Sequence, residues 1–409
     1  MDRIINCFTF HIYLFIYFKI SIYIPTRPCF FHHQKLSIPL SLSPLSIPYL
    51  NSKTNHKMAA YWPEPIVSVQ ALSQTGVTTV PSRYVKPSHQ RPVLNSAQSD
   101  AEMEIPVLDM GDVWGKPEGL MLVRKACEEW GFFQMVNHGV NHALMEKVRG
   151  AWREFFELPI DEKRKFANSP DTYEGYGSRL GVVKDAKLDW SDYFYLNYLP
   201  SSIRNPSKWP SHPRKIRELI KEYGEEMRKL CERLVETLSE SLGLEPNRLM
   251  EALGGEDKVG ASLRTNFYPK CPQPHLTLGL SSHSDPGGIT ILLPDEKVSG
   301  LQVRRGDGWV TVKSVPNALV VNMGDQIQIL SNGIYKSVEH QVIVNPGMDR
   351  VSFAFFYNPR SDIPIGPVEE LLAKSRPALY KPIRFDEYRL LIRQKGPSGK
   401  NQVDSLLSR

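Results

Sequence analysis

His283-Ser-Asp-Pro-Gly-Gly-Ile-Thr-Ile-Leu-Leu-Pro294 contains a five-residue apolar run, Ile289–Leu293, closed by Gly-Gly on one side and Pro on the other. That length and those boundaries predict a buried strand. Similar runs lie on both sides, at residues 276–280, 301–304, 318–323 and 351–357, separated by Gly, Pro, Asp and Asn. About eight short strands spaced in this way between Ser262 and Tyr357 predict a β-sandwich or barrel. The chain before them is helical in period. Residues 215–243 carry Leu, Ile and Met at steps of three and four among Glu/Lys pairs, which predicts one long amphipathic helix. Helices followed by strands give an α+β protein: a double-stranded β-helix (jelly-roll) core with flanking helices and a helical N-terminal domain.

Further out, residues 105–109 read as a strand, 120–130 as a helix ended by Gly131, and 132–136 as a second strand. Residues 141–156 form a helix capped near Asn141, 172–181 a Gly- and Tyr-rich loop, 189–198 a strand, and 379–393 a closing helix. The expected organisation is an arm over 58–104, an N-terminal domain over 105–215 and a helical connector over 216–257. The jelly roll follows over 258–361, and a C-terminal helix and tail over 362–409.

Composition narrows the function. The chain has 409 residues and is 41% hydrophobic and 23% charged, with a formal net charge of +6. Residues 1–57 hold six basic side chains against Asp2 alone, so the remainder is nearly neutral, with 44 basic and 43 acidic residues. A near-neutral body speaks against nucleic-acid binding. Residues 1–57 are rich in Ile, Phe and Tyr, without a clear small-residue cleavage site, and are read as an upstream extension outside the fold; a targeting or anchor segment is the alternative. No membrane contact is expected for residues 58–409. Cys127, Cys231 and Cys271 are widely spaced and odd in number, which fits a reducing compartment, cytoplasmic and also nuclear.

His283 and Asp285 are two apart in extended chain, so both side chains face one way. His340 lies 57 residues after His283, at another strand end. Two histidines and one carboxylate, leaving three positions open, is the ligand set of a non-haem Fe(II) oxygenase; zinc accepts the same ligands. An isolated His-x-Asp is common by chance. Arg350-Val-Ser352, ten residues past His340, changes the weighing: Arg350 and Ser352 share a strand face, and a fixed guanidinium with a hydroxyl beside it grips a carboxylate. Tyr268 can supply a third donor, and Asn266 shares its face.

Together these residues resemble the plant 2-oxoglutarate- and Fe(II)-dependent dioxygenases, on Asn266-Phe-Tyr-Pro-Lys-Cys-Pro-Gln-Pro274, His283-Ser-Asp285, His340, Arg350-Val-Ser352 and Trp130-Gly-Phe-Phe-Gln-Met-Val-Asn-His-Gly139. The resemblance implies that His283, Asp285 and His340 are the catalytic metal ligands for Fe(II). It implies that Arg350 and Ser352, assisted by Tyr268 and Asn266, hold 2-oxoglutarate, with ascorbate as supporting reductant and dioxygen as co-substrate.

Residues 172–181, 188–193, 283–294 and 81–87 look most like the jasmonate-induced oxygenases within that family. This implies jasmonic acid as substrate and hydroxylation at carbon 12, which lowers hormone activity. Arg264 precedes Asn266 by two on one strand face, and Arg389 and Arg393 are i and i+4 on a helix, so all three could clamp a small acid. The resemblance places the substrate carboxylate on these three. A solvated helix face is the bland reading of Arg389 and Arg393. Tyr193, Tyr195 and Phe356 match substrate-ring positions of flavonoid enzymes, and ordinary aromatic core is the equal alternative. His138 and Cys271 are read as structural, and Phe132 and Phe133 as core. The rival functions are the same chemistry on a flavonoid, and a jelly-roll protein that binds a small acid without turnover.

Overall fold

The computed structural model of the chain describes residues 61–92, 104–397 and 399–408. Residues 1–57, with the extension expected there, lie outside the described residues. In chain order the strands that build the site are β1 (Val107–Asp109), β2 (Phe132–Val136), β3 (Gly175–Gly177), β4 (Asp192–Leu199), β5 (Gly260–Tyr268) and β6 (Leu280–His283). They continue with β7 (Ile289–Leu293), β8 (Leu301–Arg305), β9 (Gly308–Thr311), β10 (Leu319–Met323), β11 (His340–Val342) and β12 (Arg350–Asn358). An eight-stranded sheet runs β1-β2-β10-β7-β12-β5-β4-β3, and a four-stranded sheet runs β6-β11-β8-β9. These are the two sheets of a jelly roll, and the candidate site lies between them.

The strand β12 shows why the layers form. It pairs with β5 from Arg350↔Tyr268 to Asn358↔Gly260, and with β7 on its other edge. Side chains alternate across a strand. Phe353, Phe355 and Tyr357 point to one side and join the buried core that includes Tyr223, Met227, Leu230 and Leu234 of the long helix Ile216–Ser241. Arg350, Ser352, Ala354 and Phe356 point the other way, into a cavity. One period-two pattern thus separates hydrophobic packing from chemistry. The helices Pro117–Glu129 and His142–Glu157 complete the outer layer; the second is capped by Asn141, whose side chain accepts from the Ala143 N–H at 2.8 Å.

The strands of residues 105–215 do not form a sheet of their own. β1 and β2 extend the jelly-roll sheet at one edge, and β4 and β3 at the other. Four local readings differ from what folds. The segment 172–181 is not all loop: Gly175–Gly177 pairs with Tyr193–Tyr195 as the sheet's outer strand. Residues 276–280 are not a strand; Pro274–Leu276 is a 3-10 turn, and the strand begins at Leu280, which places His283 on it. The closing helix spans Phe385–Lys395 and does not begin at Leu379: Pro382 has no N–H to give, and Tyr380 and Lys381 instead pair with Leu407 and Leu406. The arm holds a short helix, Val69–Gln74, capped by Ser68.

Candidate active site

The strands β6 and β11 pair antiparallel, and His283 stands directly opposite His340. Their ring centroids are 4.3 Å apart. Asp285 follows two residues after His283, and its Oδ1 lies 3.6 Å from His283 Nε2 and 3.7 Å from His340 Nε2. One donor atom from each of the three residues falls within 4.8 Å of the others.

Each of these groups is oriented by a neighbour. His283 Nδ1 lies 2.9 Å from the Ser281 carbonyl, and His340 Nδ1 lies 3.1 Å from the Val338 carbonyl. A carbonyl only accepts, so each Nδ1 carries the proton and each Nε2 lone pair faces the shared point. Asp285 Oδ2 accepts from Thr290 Oγ1 at 2.5 Å and Asn322 Nδ2 at 2.9 Å, which leaves Oδ1 facing the point that the histidine Nε2 atoms share. Burial, with His340 alongside, pushes the His283 imidazole down to about 4, so it is neutral at physiological pH, as ligation requires. Burial works against the Asp285 carboxylate, but the positive charge that His340 and His283 carry when protonated, with the Asn322 and Thr290 donors, outweighs it and holds the carboxyl below its ordinary range.

A second group lies on the inner face of β5 and β12. Arg350 stands opposite Tyr268, Ser352 opposite Asn266, Ala354 opposite Arg264 and Phe356 opposite Ser262, and all line the cavity that holds the triad. Arg350 is buried. Its Nε donates to the Val298 carbonyl at 3.2 Å, Nη1 lies 3.4 Å from Ser352 Oγ, and the guanidinium sits 5.1 Å from the Tyr268 ring centroid. Among the described residues no carboxylate pairs with it. A buried cation without a counter-ion is costly, so this is a place prepared for an anion.

A third group lies four residues along the ladder, about 13 Å at ordinary strand rise. Arg264 donates through Nε to Asn266 Oδ1 at 2.7 Å and lies over the Tyr193 ring, 4.2 Å from its centroid. Arg389 and Arg393 line the same cavity from the helix Phe385–Lys395. Burial, and then the charge of Arg393, press the Arg389 guanidinium below its ordinary pKa. Among the described residues none of the three has a carboxylate partner. Tyr195 and Phe356 are half-buried cavity walls. Tyr193 also lines the cavity, but its hydroxyl is taken up by Asn168 Nδ2 and the Arg179 carbonyl, and its ring is the platform for Arg264. His138 lies apart, tied to the Asn317 carbonyl and the Val140 N–H.

Residues 260–359 match the model of the 2OG-Fe(II) oxygenase superfamily, and residues 105–212 match that of the non-haem dioxygenase in morphine synthesis N-terminal region. Jasmonate-induced oxygenase 4 of Arabidopsis thaliana is 86% identical over 350 residues, which is 86% of this chain and 99% of that protein. The chain belongs to the 2-oxoglutarate- and Fe(II)-dependent oxygenases. Jasmonate-induced oxygenase 1 of the same plant is 54% identical over 360 residues, covering 87% of this chain and 90% of that one. The crystal structure of JOX2 in complex with 2OG, Fe, and JA superposes with a TM-score of 0.81 at 54% identity, over 85% of this chain and all of that one.

As a member of this family, the protein is an oxygenase that uses Fe(II) and 2-oxoglutarate. The donor set fits the metal: two imidazole nitrogens and one carboxylate oxygen converge, with cavity on the far side. The unpaired guanidinium of Arg350 in the same cavity fits the co-substrate's carboxylate. Sequence reading passed over Thr290 and Asn322. Each is the only polar residue in an otherwise apolar five-residue strand, and that was the available signal. It also assigned Phe132 to the core alone, whereas the ring packs edge-on against His340 at 5.2 Å and lines the cavity. No helix among the described residues is long and apolar enough to cross a membrane.

Proposed function

We propose that this chain hydroxylates jasmonic acid at carbon 12 to give 12-hydroxyjasmonic acid, and so lowers jasmonate signalling. In this reading His283, Asp285 and His340 hold Fe(II), and Arg350 and Ser352, with Tyr268 beside them, hold the distal carboxylate of 2-oxoglutarate. Arg264, Arg389 and Arg393 hold the substrate carboxylate, against walls from Tyr195 and Phe356. Bound Fe(II), with 2-oxoglutarate and dioxygen, supplies the oxidising chemistry that puts oxygen into an unactivated C–H bond.

The observation that carries the substrate reading is the second, separate set of unpaired arginines in one cavity. One anion satisfies Arg350; a different anion is needed at Arg264, Arg389 and Arg393. Jasmonic acid is a small carboxylate on an otherwise apolar skeleton, which suits a clamp at one end and apolar walls along the rest. A carboxylate held a strand-length from Arg350 leaves the apolar tail to reach the metal, and the distance between clamp and triad selects the carbon. The carbonyl partners of the two imidazoles hold Nδ1 as the donor and turn Nε2 toward the shared point, and Thr290 and Asn322 hold Asp285 in one orientation. The protein's part is therefore placement and exclusion of water.

A dihydroflavonol carries no carboxylate and leaves the three arginines without a counter-ion. Incubation with jasmonic acid, Fe(II), ascorbate and 2-oxoglutarate, followed by mass spectrometry, tests the proposal. The expected product carries one added oxygen, accompanied by equimolar succinate. A product from dihydroflavonol and none from jasmonic acid would overturn it.

A further inference from the structure

Asp325 is fully buried, and four chain segments converge on its carboxylate. Its Oδ2 accepts from the Tyr388 hydroxyl at 2.7 Å and from Ser284 Oγ at 3.2 Å. Its Oδ1 accepts from Ser337 Oγ at 2.7 Å, and Lys400 Nζ lies 3.4 Å away. Its backbone N–H donates to the Asp285 carbonyl at 2.8 Å. Three of these partners adjoin the site. Ser284 lies between His283 and Asp285, Ser337 three residues before His340, and Tyr388 immediately before Arg389. One buried side chain therefore joins the metal loop to the helix that carries two of the clamp arginines.

That helix needs such a tie. Of its eleven residues only Phe385 and Tyr388 are buried, so little apolar packing fixes its position along its axis. Its far end is held by the Tyr173 hydroxyl donating to the Arg393 carbonyl at 2.7 Å. The near end is anchored through backbone by the Asp386 N–H donating to the Ser361 carbonyl at 2.9 Å and by Gln402 Nε2 donating to the Tyr388 carbonyl at 2.6 Å; Tyr388 on Asp325 is the tie that runs to the metal loop. A hydrogen bond to a buried carboxylate is among the stronger ones available.

We propose that the Asp325–Tyr388 hydrogen bond sets the distance between the metal triad and the two helix-borne clamp arginines, Arg389 and Arg393, and thereby the carbon that is hydroxylated. Asp325 and Tyr388 are positioning residues in this account; neither needs to touch substrate. Adjacent carbons of an alkyl chain are about 1.5 Å apart. A shift of the helix by that much moves Arg389 and Arg393, and with them the substrate carboxylate, and presents a different carbon to the metal, while Arg264, Arg350 and the triad, held by the sheets, stay where they are. The proposal rests on the reading of jasmonic acid as the substrate held by Arg264, Arg389 and Arg393.

The test is Tyr388→Phe in the full chain, which removes one hydroxyl and leaves Asp325 with Ser337, Ser284 and Lys400. Amide hydrogen exchange is read in metal-free protein, and product isomers and the ratio of hydroxylated product to succinate are read in the loaded enzyme. Exchange across Phe385–Lys395 is expected to quicken about tenfold. A second positional isomer is expected to appear and the product-to-succinate ratio to fall about threefold or more, with the KM for 2-oxoglutarate unchanged. Asp325→Asn, similar in size but uncharged, is the second variant and moves the same readouts in the same direction. A merely structural contact would speed exchange and leave the isomer ratio alone, and that outcome overturns the proposal, as does an unchanged exchange rate. Wild-type protein that yields no hydroxylated jasmonate overturns the substrate reading and this role together; a wild-type product whose isomer ratio survives both substitutions overturns the positioning role alone.

Discussion

Thr290 and Asn322 stand opposite each other on β7 and β10, and both donate to the same oxygen of Asp285. The carboxylate is thereby committed to presenting its other oxygen to the point that the two histidine Nε2 atoms share. Such outer partners typically account for a tenfold to hundredfold share of metal affinity.

Thr290→Val keeps the shape of the side chain and removes one of these donors. Fe(II) affinity, measured by anaerobic titration of metal-free protein, is expected to fall by about tenfold. Unchanged affinity would show that Asn322 alone suffices.

Arg350→Gln removes the buried cation while retaining a polar side chain. The 2-oxoglutarate requirement is expected to rise by about a hundredfold, the value of two charge-assisted hydrogen bonds. Fe(II) affinity should not change, because Arg350 makes no contact with the triad's own supports. Initial rates against 2-oxoglutarate concentration read the first quantity, and metal titration reads the second.

Arg264→Ala acts on the other arginine set. The KM for jasmonic acid is expected to rise about tenfold or more, while jasmonate-independent decay of 2-oxoglutarate to succinate continues. A variant that lost stability alone, with jasmonate KM unchanged, would remove Arg264 from the clamp.

The metal-free protein should lose stability on mild acidification. In the folded chain burial keeps His283 neutral down to about pH 4, whereas in the unfolded chain an imidazole gains its proton near about pH 6.5. Between those values the unfolded state binds more protons, so stability falls as pH falls, by up to about 1.4 kcal/mol per pH unit. Above that window the contribution is fully present. Urea midpoints of wild type and His283→Asn, compared at about pH 7 and about pH 5, should show a smaller drop for the variant.

Much of the site was legible in the chain because strand chemistry is local. Ile289–Leu293 and Phe132–Val136 fold with the bounds their apolar runs and flanking Gly and Pro indicate. Gly131, read as a helix stop, adopts a left-handed φ of 63°, and a Cβ there would meet the Lys336 carbonyl at 2.1 Å. The period-two spacing of Arg264, Asn266 and Tyr268, and of Arg350 and Ser352, put each set on one face before any partner strand was known. What spacing within a strand cannot state is register. That Arg350 meets Tyr268, and that His283 meets His340, depends on how loops of tens of residues close.

By itself, the sequence determined most of the elements, though not the strand within 172–181 or the turn at 274–276, together with the faces of the strands and the residue types able to hold a metal and a carboxylate, since these follow from short-range sterics and side-chain chemistry. Tertiary structure alone decided that strands from both halves of the chain join one sheet, that Thr290 and Asn322 converge on Asp285, and that Asp325 ties the helix Phe385–Lys395 to the metal loop. Those contacts join residues far apart in the chain, or across a turn whose course the local pattern does not state, and they form because burial of polar groups demands a partner wherever the packed fold can bring one.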